Sequence, residues 1–362
     1  MIYVFTFSIS ILLFYFADYY LHRRKRFLFI FFSFFAIFIP CLLASLRDPS
    51  IGTDVNVYVY PMFILAKSVN FSVYFAEISH DAIFFIILYI TSFISDSISL
   101  ALFIFQFLTI FPLFYAAYKY RDRLNIASVF VLYYLFFYNY SFSMMRQMIA
   151  CSFALLAFYF LSKHKYFPFI IYCAIGTSFH FSCLFILLFE WIILFVMKKN
   201  KLNGLILMPI VVLIVIFSNV IIGKFAEIGI IPYYYYERFS DRMSEIDLSN
   251  IDILIWGLIN IGIVVLALVD KCEEYTVMVL NTLFALIFLF AMHISSTYFR
   301  IDIYFKYFIL LIVPILFKSK SLSNFSLRIV TKSSFYLLGV VFWLFFIVYV
   351  NYFNTYPYVF FS

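Results

Sequence analysis

Charged side chains are scarce in this chain, and so is glycine. Only 12% of the 362 residues are Asp, Glu, Lys or Arg, whereas soluble domains carry roughly 25%. Hydrophobic residues make up 66% of the chain, and its mean hydropathy is +1.06. This composition excludes a soluble globular protein. Among only 8 glycines there is no phosphate-binding loop, dinucleotide-binding pattern or G-x-S-x-G motif, so the enzyme classes built on these motifs are not indicated.

Residue pairs that would hold a metal or form a disulfide framework are also missing. Five cysteines occur, four of them in apolar segments and no two in a C-x-x-C pair, so neither a zinc site nor a set of disulfides is predicted. A D-x-D pair of the kind that holds a metal for nucleotide–sugar donors is absent, and the nearest pattern is Glu245-Ile246-Asp247. The sequence therefore predicts neither a metal site nor a cofactor.

Apolar runs of about 17 to 25 residues, the length that crosses a bilayer, recur along the chain. They predict an all-α polytopic membrane protein with about twelve transmembrane helices in a single transmembrane domain over residues 1–362. The segment 82–95 is apolar but short, as expected of a half-membrane helix. The short pair 166–178 and 181–197 is expected to form a hairpin bent at 176–180. The predicted spans are 2–20, 27–46, 98–118, 125–141, 145–161, 166–178, 181–197, 204–222, 252–269, 276–292, 301–317 and 335–353.

The basic residues indicate how the chain is oriented. With these spans, 17 of the 25 Lys and Arg residues fall on one side of the membrane, which the positive-inside rule makes the cytoplasmic side. Their scatter among short loops argues against nucleic acid as a partner, despite the net charge of +7. The two long loops, at about 47–81 and 223–251, then lie outside. A protein with its long loops outside is expected to act there.

Three arginines adjoin the outer ends of predicted spans: Arg47, Arg146 and Arg300. Arg146 falls in the first turn of a helix whose N-terminus faces outward, where a cation opposes the helix dipole. A bound anion would resolve this conflict, because a helix N-terminus with an arginine is suited to phosphate. The alternatives are a side chain that extends to the membrane surface, or a salt bridge to Asp48 or Asp54. Arg300 opens a helix in the same way, with Asp302 as the alternative neutralising partner.

Between the second span and the outer loop, Pro49 and Gly52 predict a turn. Asp48 and Asp54 in this turn are candidate carboxylates for a sugar hydroxyl, or Asp48 and Arg47 simply cap and neutralise the helix end. His180, in the predicted outer bend, titrates near neutral pH and is a candidate general base. A single histidine between Phe179 and Phe181 also fits a packed, hydrogen-bonded residue.

Taken in order along nearly the whole chain, these residues resemble the EpsG/Wzy-type polysaccharide polymerases. The resemblance combines a G-T-D turn with a downstream tyrosine, an R-Q pair on a helix, and an F-H pair. The matching positions are Arg47-Asp48, Gly52-Thr53-Asp54, Tyr58, Arg146-Gln147 with Ala150, Phe179-His180 with Ser182, Arg300 with Tyr304, and Asn354 to Tyr358.

The resemblance implies a membrane-embedded glycosyltransferase with a helical fold akin to the GT-C class. Its substrates would be oligosaccharide repeat units on undecaprenyl pyrophosphate. Membrane lipid would be its other partner. The product would be O-antigen, capsule or exopolysaccharide, made at the outer face of the bacterial inner membrane. A chain-length regulator protein is left open as a partner. The Tyr-rich loop 223–251 departs from the pattern and leaves acceptor recognition open.

Such a reaction needs cations to stabilise the leaving pyrophosphate and a base to deprotonate the acceptor hydroxyl. Arg146 and Arg300 are expected to hold the pyrophosphate without a metal, Arg47 to close the site, and Asp54 or His180 to act as the base. A lipid-linked oligosaccharide flippase and an O-antigen ligase are the alternatives. The expected catalytic residues are Asp54, His180, Arg146 and Arg300. The expected substrate-binding residues are Arg47, Asp48, Gly52, Thr53, Tyr58, Gln147 and Tyr304.

Overall fold

The structure is a computed structural model. It describes residues 1–78, 81–197, 203–229, 236–237, 250–270, 276–292, 295, 298–318 and 325–361. Within these ranges the secondary structure is helical and no β-strand occurs, apart from an isolated bridge between Arg47 and Phe360. The all-α prediction is confirmed. The contacts divide the chain into two compact units, Met1–Leu187 with Ser326–Ser362, and Leu188–Phe325, so a single transmembrane domain stays a prediction.

The first half of the chain forms eleven of the described helices. In chain order they are α1 (Ile2–His22), α2 (Arg26–Ser45), α3 (Tyr60–Ser68), α4 (Phe71–Ala76), α5 (Ala82–Ile94), α6 (Ser99–Lys119), α7 (Ile126–Phe136), α8 (Tyr140–Ser143), α9 (Met145–Ser162), α10 (Tyr166–Phe179) and α11 (Ser182–Met197).

The described helices of the second half include two that bend into one another and one that returns to the first unit. They are α12 (Asn203–Ile216), α13 (Ser218–Glu227), α14 (Asn250–Asp270), α15 (Thr276–Ala291), α16 (Tyr298–Tyr307), α17 (Ile309–Phe317) and α18 (Phe325–Phe342), which continues as a π-helical segment, Trp343–Tyr349.

Five helices in the described part of the chain are long and apolar enough to cross a membrane: Ile2–His22, Arg26–Ser45, Ser99–Lys119, Met145–Ser162 and Ser326–Tyr349. The pair Ile206–Ile216 and Val220–Glu227, bent by 66°, adds a sixth if its halves form one span. Leu12, Phe27 and Ile30 on α1 and α2 are 53%, 77% and 63% exposed, as expected of side chains that face lipid. These helices indicate a multi-pass membrane protein.

The predicted count of about twelve spans is not confirmed. Several predicted spans are helices of only 10–17 residues, among them Ile126–Phe136, Tyr166–Phe179 and Ser182–Met197. At 1.5 Å per residue, such helices are shorter than the ~30 Å hydrocarbon core. The break that was predicted at 176–180 lies at the end of α10, with α11 beginning at Ser182. Segment 82–95 forms the 13-residue helix α5.

The segment 47–81, predicted to be an outer loop, is largely helical in its described residues. It contains a π-helical turn at Val55–Val59, then α3 and α4. Asn70 caps α4, because its side chain accepts a hydrogen bond from the backbone N–H of Val73 at 3.1 Å. Within the predicted loop 223–251, α13 reaches Glu227, and most of the tyrosine run lies outside the described residues.

Two long-range connections hold the first unit together. Asp18 of α1 accepts the backbone N–H groups of Ile126 and Ala127 at 3.1 and 3.0 Å, so one helix satisfies the free donors at the start of α7. At the other end, the C-terminal segment (residues 351–361) returns to α1: the hydroxyl of Tyr3 donates to the carbonyl of Thr355 at 2.6 Å. The second connection brings the two chain ends together beside the turn that follows α2, because the backbone N–H of Gly52 donates to the carbonyl of Asn354 at 3.0 Å.

Candidate functional site

The turn at 47–54 is fixed against the residues that lead into α9. Gly52 has a φ of +89° and is buried, and a Cβ added there would lie 2.4 Å from the carbonyl oxygen of Phe142. Only glycine fits both the backbone conformation and this close approach. The next residue, Thr53, donates its backbone N–H to the hydroxyl of Ser143 at 3.1 Å. The G-T-D and R-Q motifs are therefore neighbours because the chain packs α8 directly under the turn.

Beside this turn, four side chains form one hydrogen-bonded chain, here called the Arg146 cluster: Asp54, Tyr58, Arg146 and Asp81. The hydroxyl of Tyr58 donates to the Asp54 carboxylate. The Nε of Arg146 donates to the Tyr58 hydroxyl at 3.3 Å, and its Nη1 to Oδ2 of Asp81 at 2.8 Å. The guanidinium carbon lies 4.5 Å from the centre of the Tyr58 ring. A cation, two carboxylates and a phenol thus meet at the N-terminus of α9.

The phenol of Tyr58 stays protonated at neutral pH. Its burial and the Asp54 carboxylate raise the pKa of Tyr58 well above its ordinary value. Tyr58 therefore connects Asp54 to Arg146 as a neutral group that donates to one and accepts from the other. The arrangement can orient a carboxylate that takes a proton and a cation that faces developing negative charge.

Arg47 lies deeper than the sequence suggested. Its side chain is buried, with 1% of the residue exposed, and its guanidinium carbon lies 3.9 Å from the centre of the Phe142 ring. Its Nη2 contacts the sulfur of Met145 at 3.6 Å, and neither Nε nor Nη1 has a hydrogen-bond partner among the described residues. Burial lowers the pKa of Arg47 to about 10, so it remains a cation at neutral pH.

The C-terminal segment pairs with the backbone on both sides of Arg47. The backbone N–H of Asp48 donates to the carbonyl of Val359 at 2.9 Å, and that of Phe361 to the carbonyl of Leu46 at 2.8 Å. The role of Arg47 in substrate binding stays a prediction.

Asp48 closes its own turn. Its carboxylate accepts the backbone N–H and the hydroxyl of Ser50 at 2.9 and 2.6 Å. These hydrogen bonds hold the pKa of Asp48 below its ordinary value. The geometry favours the structural alternative for Asp48, in which the carboxylate shapes the turn. Its role with a sugar hydroxyl stays a prediction.

His180 lies at the bend between α10 and α11. Its Nδ1 is 2.6 Å from the hydroxyl of Ser182. The sulfur of Cys183, just beyond, lies 3.8 Å from the carbonyl oxygen of Ala150, one helical turn after Arg146. The bend therefore packs beside the first turns of α9. Gln147, the residue after Arg146, is buried within the same turn of α9, with 3% of it exposed.

Comparison with known proteins then places the chain. A sequence model of the EpsG family matches residues 30–360, which is most of the chain. The chain belongs to the EpsG family. This family is Wzy-type and polymerase-like, so the membership that the motifs predicted is confirmed. No curated protein and no solved structure matches the chain.

The last pair of predicted EpsG-type site residues lies in the second unit, on α16. Arg300 is exposed, whereas Tyr304 is buried, with 2% of it exposed. Asp302, the predicted alternative partner of Arg300, forms an ion pair with Lys306 at 2.5 Å, and Lys306 also lies 4.5 Å from the ring of Trp256. The roles of Arg300 and Tyr304 stay predictions.

Sequence reasoning missed Asp81. The two acids considered as partners of Arg146 were Asp48 and Asp54, but the direct ion pair is with Asp81, and Asp54 is reached only through Tyr58. One signal was available: Asp81 is an acid directly before the apolar helix α5, at a position that typically caps a helix.

Proposed function

We propose that this EpsG family member is a membrane glycosyltransferase that polymerises lipid-linked oligosaccharide repeat units. The acceptor hydroxyl would attack the anomeric carbon of the donor sugar. The bond between that carbon and the pyrophosphate oxygen would break, and the lipid pyrophosphate would leave with the electron pair. Asp54 or His180 would take the hydroxyl proton. Undecaprenyl pyrophosphate is the proposed carrier.

The hydrogen-bonded chain from Asp54 through Tyr58 to Arg146 supports this proposal most directly. It joins a proton acceptor to a cation at a helix N-terminus, and a reaction with an anionic leaving group and a hydroxyl nucleophile needs both. Arg146 and Arg300 would stabilise the charge that develops on the pyrophosphate. We propose that these arginines take the part that a metal ion has in other glycosyl transfers.

The proposed place of action is the outer face of the bacterial inner membrane. The distribution of Lys and Arg supports this orientation, because most of them lie on the opposite side of the predicted spans. The Arg146 cluster then faces outward. O-antigen, capsule and exopolysaccharide are equally compatible products, and a chain-length regulator is a compatible partner.

Deletion of the gene in its own host separates this function from its two alternatives. Loss of a polymerase is expected to leave single repeat units transferred to their final acceptor, with no longer chains. Loss of an O-antigen ligase would leave none transferred, and loss of a flippase would strand the lipid-linked units inside. The length distribution of surface glycan, measured by gel electrophoresis, reports the outcome. Long chains in the deletion strain would contradict the proposed function.

A further inference from the structure

We infer that Asp81 is a positioning residue for Arg146, which fixes the direction in which this arginine presents its remaining N–H groups to an anionic substrate. The inference rests on the proposed function, and it deepens it by naming a residue that the motifs do not contain. Asp81 would do more than neutralise the charge of Arg146, because the guanidinium group is restrained from several directions at once.

Three restraints act on the guanidinium group of Arg146. Asp81 holds Nη1 at 2.8 Å, and the hydroxyl of Tyr58 holds Nε at 3.3 Å. The rings of Tyr58 and Phe85 lie 4.5 and 5.7 Å from its central carbon, so its face is covered as well. Among the described residues Nη2 has no hydrogen-bond partner. Its two N–H groups are therefore the ones that Arg146 can offer to a ligand.

Burial makes the restraint from Asp81 stiff. The side chain of Asp81 is 6% exposed and that of Arg146 18% exposed, so water competes little for either partner. A charge-assisted hydrogen bond of this kind is stronger and more directional than one between neutral groups. Without it, the guanidinium group would keep the longer hydrogen bond to Tyr58 and the two ring contacts, but no charge-assisted hydrogen bond.

The backbone conformation at Asp81 limits which residues can replace it. Asp81 has a φ of +57°, in the left-handed region, and its carbonyl accepts the N–H of Phe84 at 3.1 Å in the first turn of α5. Aspartate and asparagine tolerate this conformation better than most residues. Asp81→Asn therefore keeps both the backbone and the side-chain shape but replaces the carboxylate with a neutral amide, which is a weaker acceptor for Nη1 of Arg146.

Loss of positioning and loss of binding have different kinetic signatures. A group misplaced by about 1 Å can lower the rate on the order of 100-fold, because the reacting geometry is reached less often. We therefore expect Asp81→Asn to lower the kcat of repeat-unit elongation on the order of 10- to 100-fold, with little change in KM. A role in substrate affinity alone would raise KM and leave kcat unchanged.

The deciding experiment is a double-mutant cycle between Asp81→Asn and Arg146→Lys, measured with the purified full-length protein and synthetic lipid-linked repeat units. A lysine ammonium has no planar fork for Asp81 to orient. In the wild-type background Asp81→Asn lowers the logarithm of kcat by a certain amount. In the Arg146→Lys background we expect the same substitution to lower it by at most about a third of that amount. Equal losses of kcat in the two backgrounds would overturn the positioning role, as would full kcat in Asp81→Asn.

Two further variants guard this test against a change in folding. Asp96 pairs with Lys67 at 2.9 Å on the surface of the same unit, and Asp96→Asn should leave kcat unchanged. Asp81→Glu restores the carboxylate and should recover part of the lost kcat. If Asp81→Asn fails to fold, Asp81→Glu is compared in the two backgrounds instead, and equal effects there overturn the role. A wild-type protein that elongates nothing would instead refute the proposed function, and the role of Asp81 with it.

Discussion

Replacing Arg146 with alanine is expected to abolish long polymer while the single-repeat product persists. In the proposed function the change removes the cation that faces the leaving group, and loss of one preorganised donor of this kind costs about 10²- to 10³-fold in rate. The same change also removes the ion pair between Arg146 and the buried carboxylate of Asp81. The length distribution of surface glycan in a complemented deletion strain measures the effect.

A loss of activity must be separated from a loss of protein in this test. Truncating one partner of a buried ion pair destabilises a protein by roughly 3–5 kcal/mol, so the level of the variant in membranes is measured alongside. Arg146→Lys keeps the charge and should fold while losing most of the polymer. Arg121, which contacts the carbonyl and ring of Tyr118 near the end of α6, supplies the control, and Arg121→Ala should polymerise normally. Full-length polymer from a well-expressed Arg146→Ala strain would rule out the role of Arg146.

The second large effect is expected from Gly52→Ala. A Cβ at this position would lie 2.4 Å from the carbonyl oxygen of Phe142, and the φ of +89° is itself strained for alanine. Backbone strain of this kind alone costs of order 1–3 kcal/mol, and the contact with a backbone oxygen adds to it. We expect the 47–54 turn to separate from α8, which displaces Asp54 and Tyr58 from Arg146, so that polymer is lost and the midpoint of thermal unfolding falls.

Two other glycines serve as matched controls for Gly52. Gly257, in α14, has nothing within 4 Å of an added Cβ, so Gly257→Ala should be neutral or slightly stabilising. Gly229 has a φ of +74° and the same open surroundings, so Gly229→Ala isolates the backbone strain. Of the three variants, Gly52→Ala should lower the midpoint of thermal unfolding most. Normal polymer and an unchanged midpoint in Gly52→Ala would show that the turn does not support the site.

The parts of the site that follow local rules were predictable from the sequence. Residue type and spacing predict a turn at Gly52, after the second span. They also predict that Arg146 lies in the first turn of a helix. The structure confirms both local features, since Gly52 has a positive φ and Arg146 lies in the first turn of α9. Their proximity was implied by the family resemblance, and the structure explains it through the hydrogen bond between Thr53 and Ser143.

The parts that depend on distant residues were not predictable in this way. Asp81 pairs with Arg146 across 65 residues of sequence, and no periodic pattern marks such a partner. Arg47 is buried, and its backbone pairs with Phe360 at the opposite end of the chain. The predicted span count is not confirmed, for another reason. Hydropathy reports apolar composition, and composition does not show where a helix ends. Ile126–Phe136 is apolar throughout and yet has only 11 residues.

Elongation by the purified protein tests the central claim most directly. The full-length protein is reconstituted with synthetic lipid-linked repeat units and no added metal, and the products are resolved by mass. A ladder of products that grows by whole repeat units, lost in Arg146→Ala and retained in Arg121→Ala, is the predicted result. Unextended single units, with the wild-type protein folded in the membrane, would contradict the account.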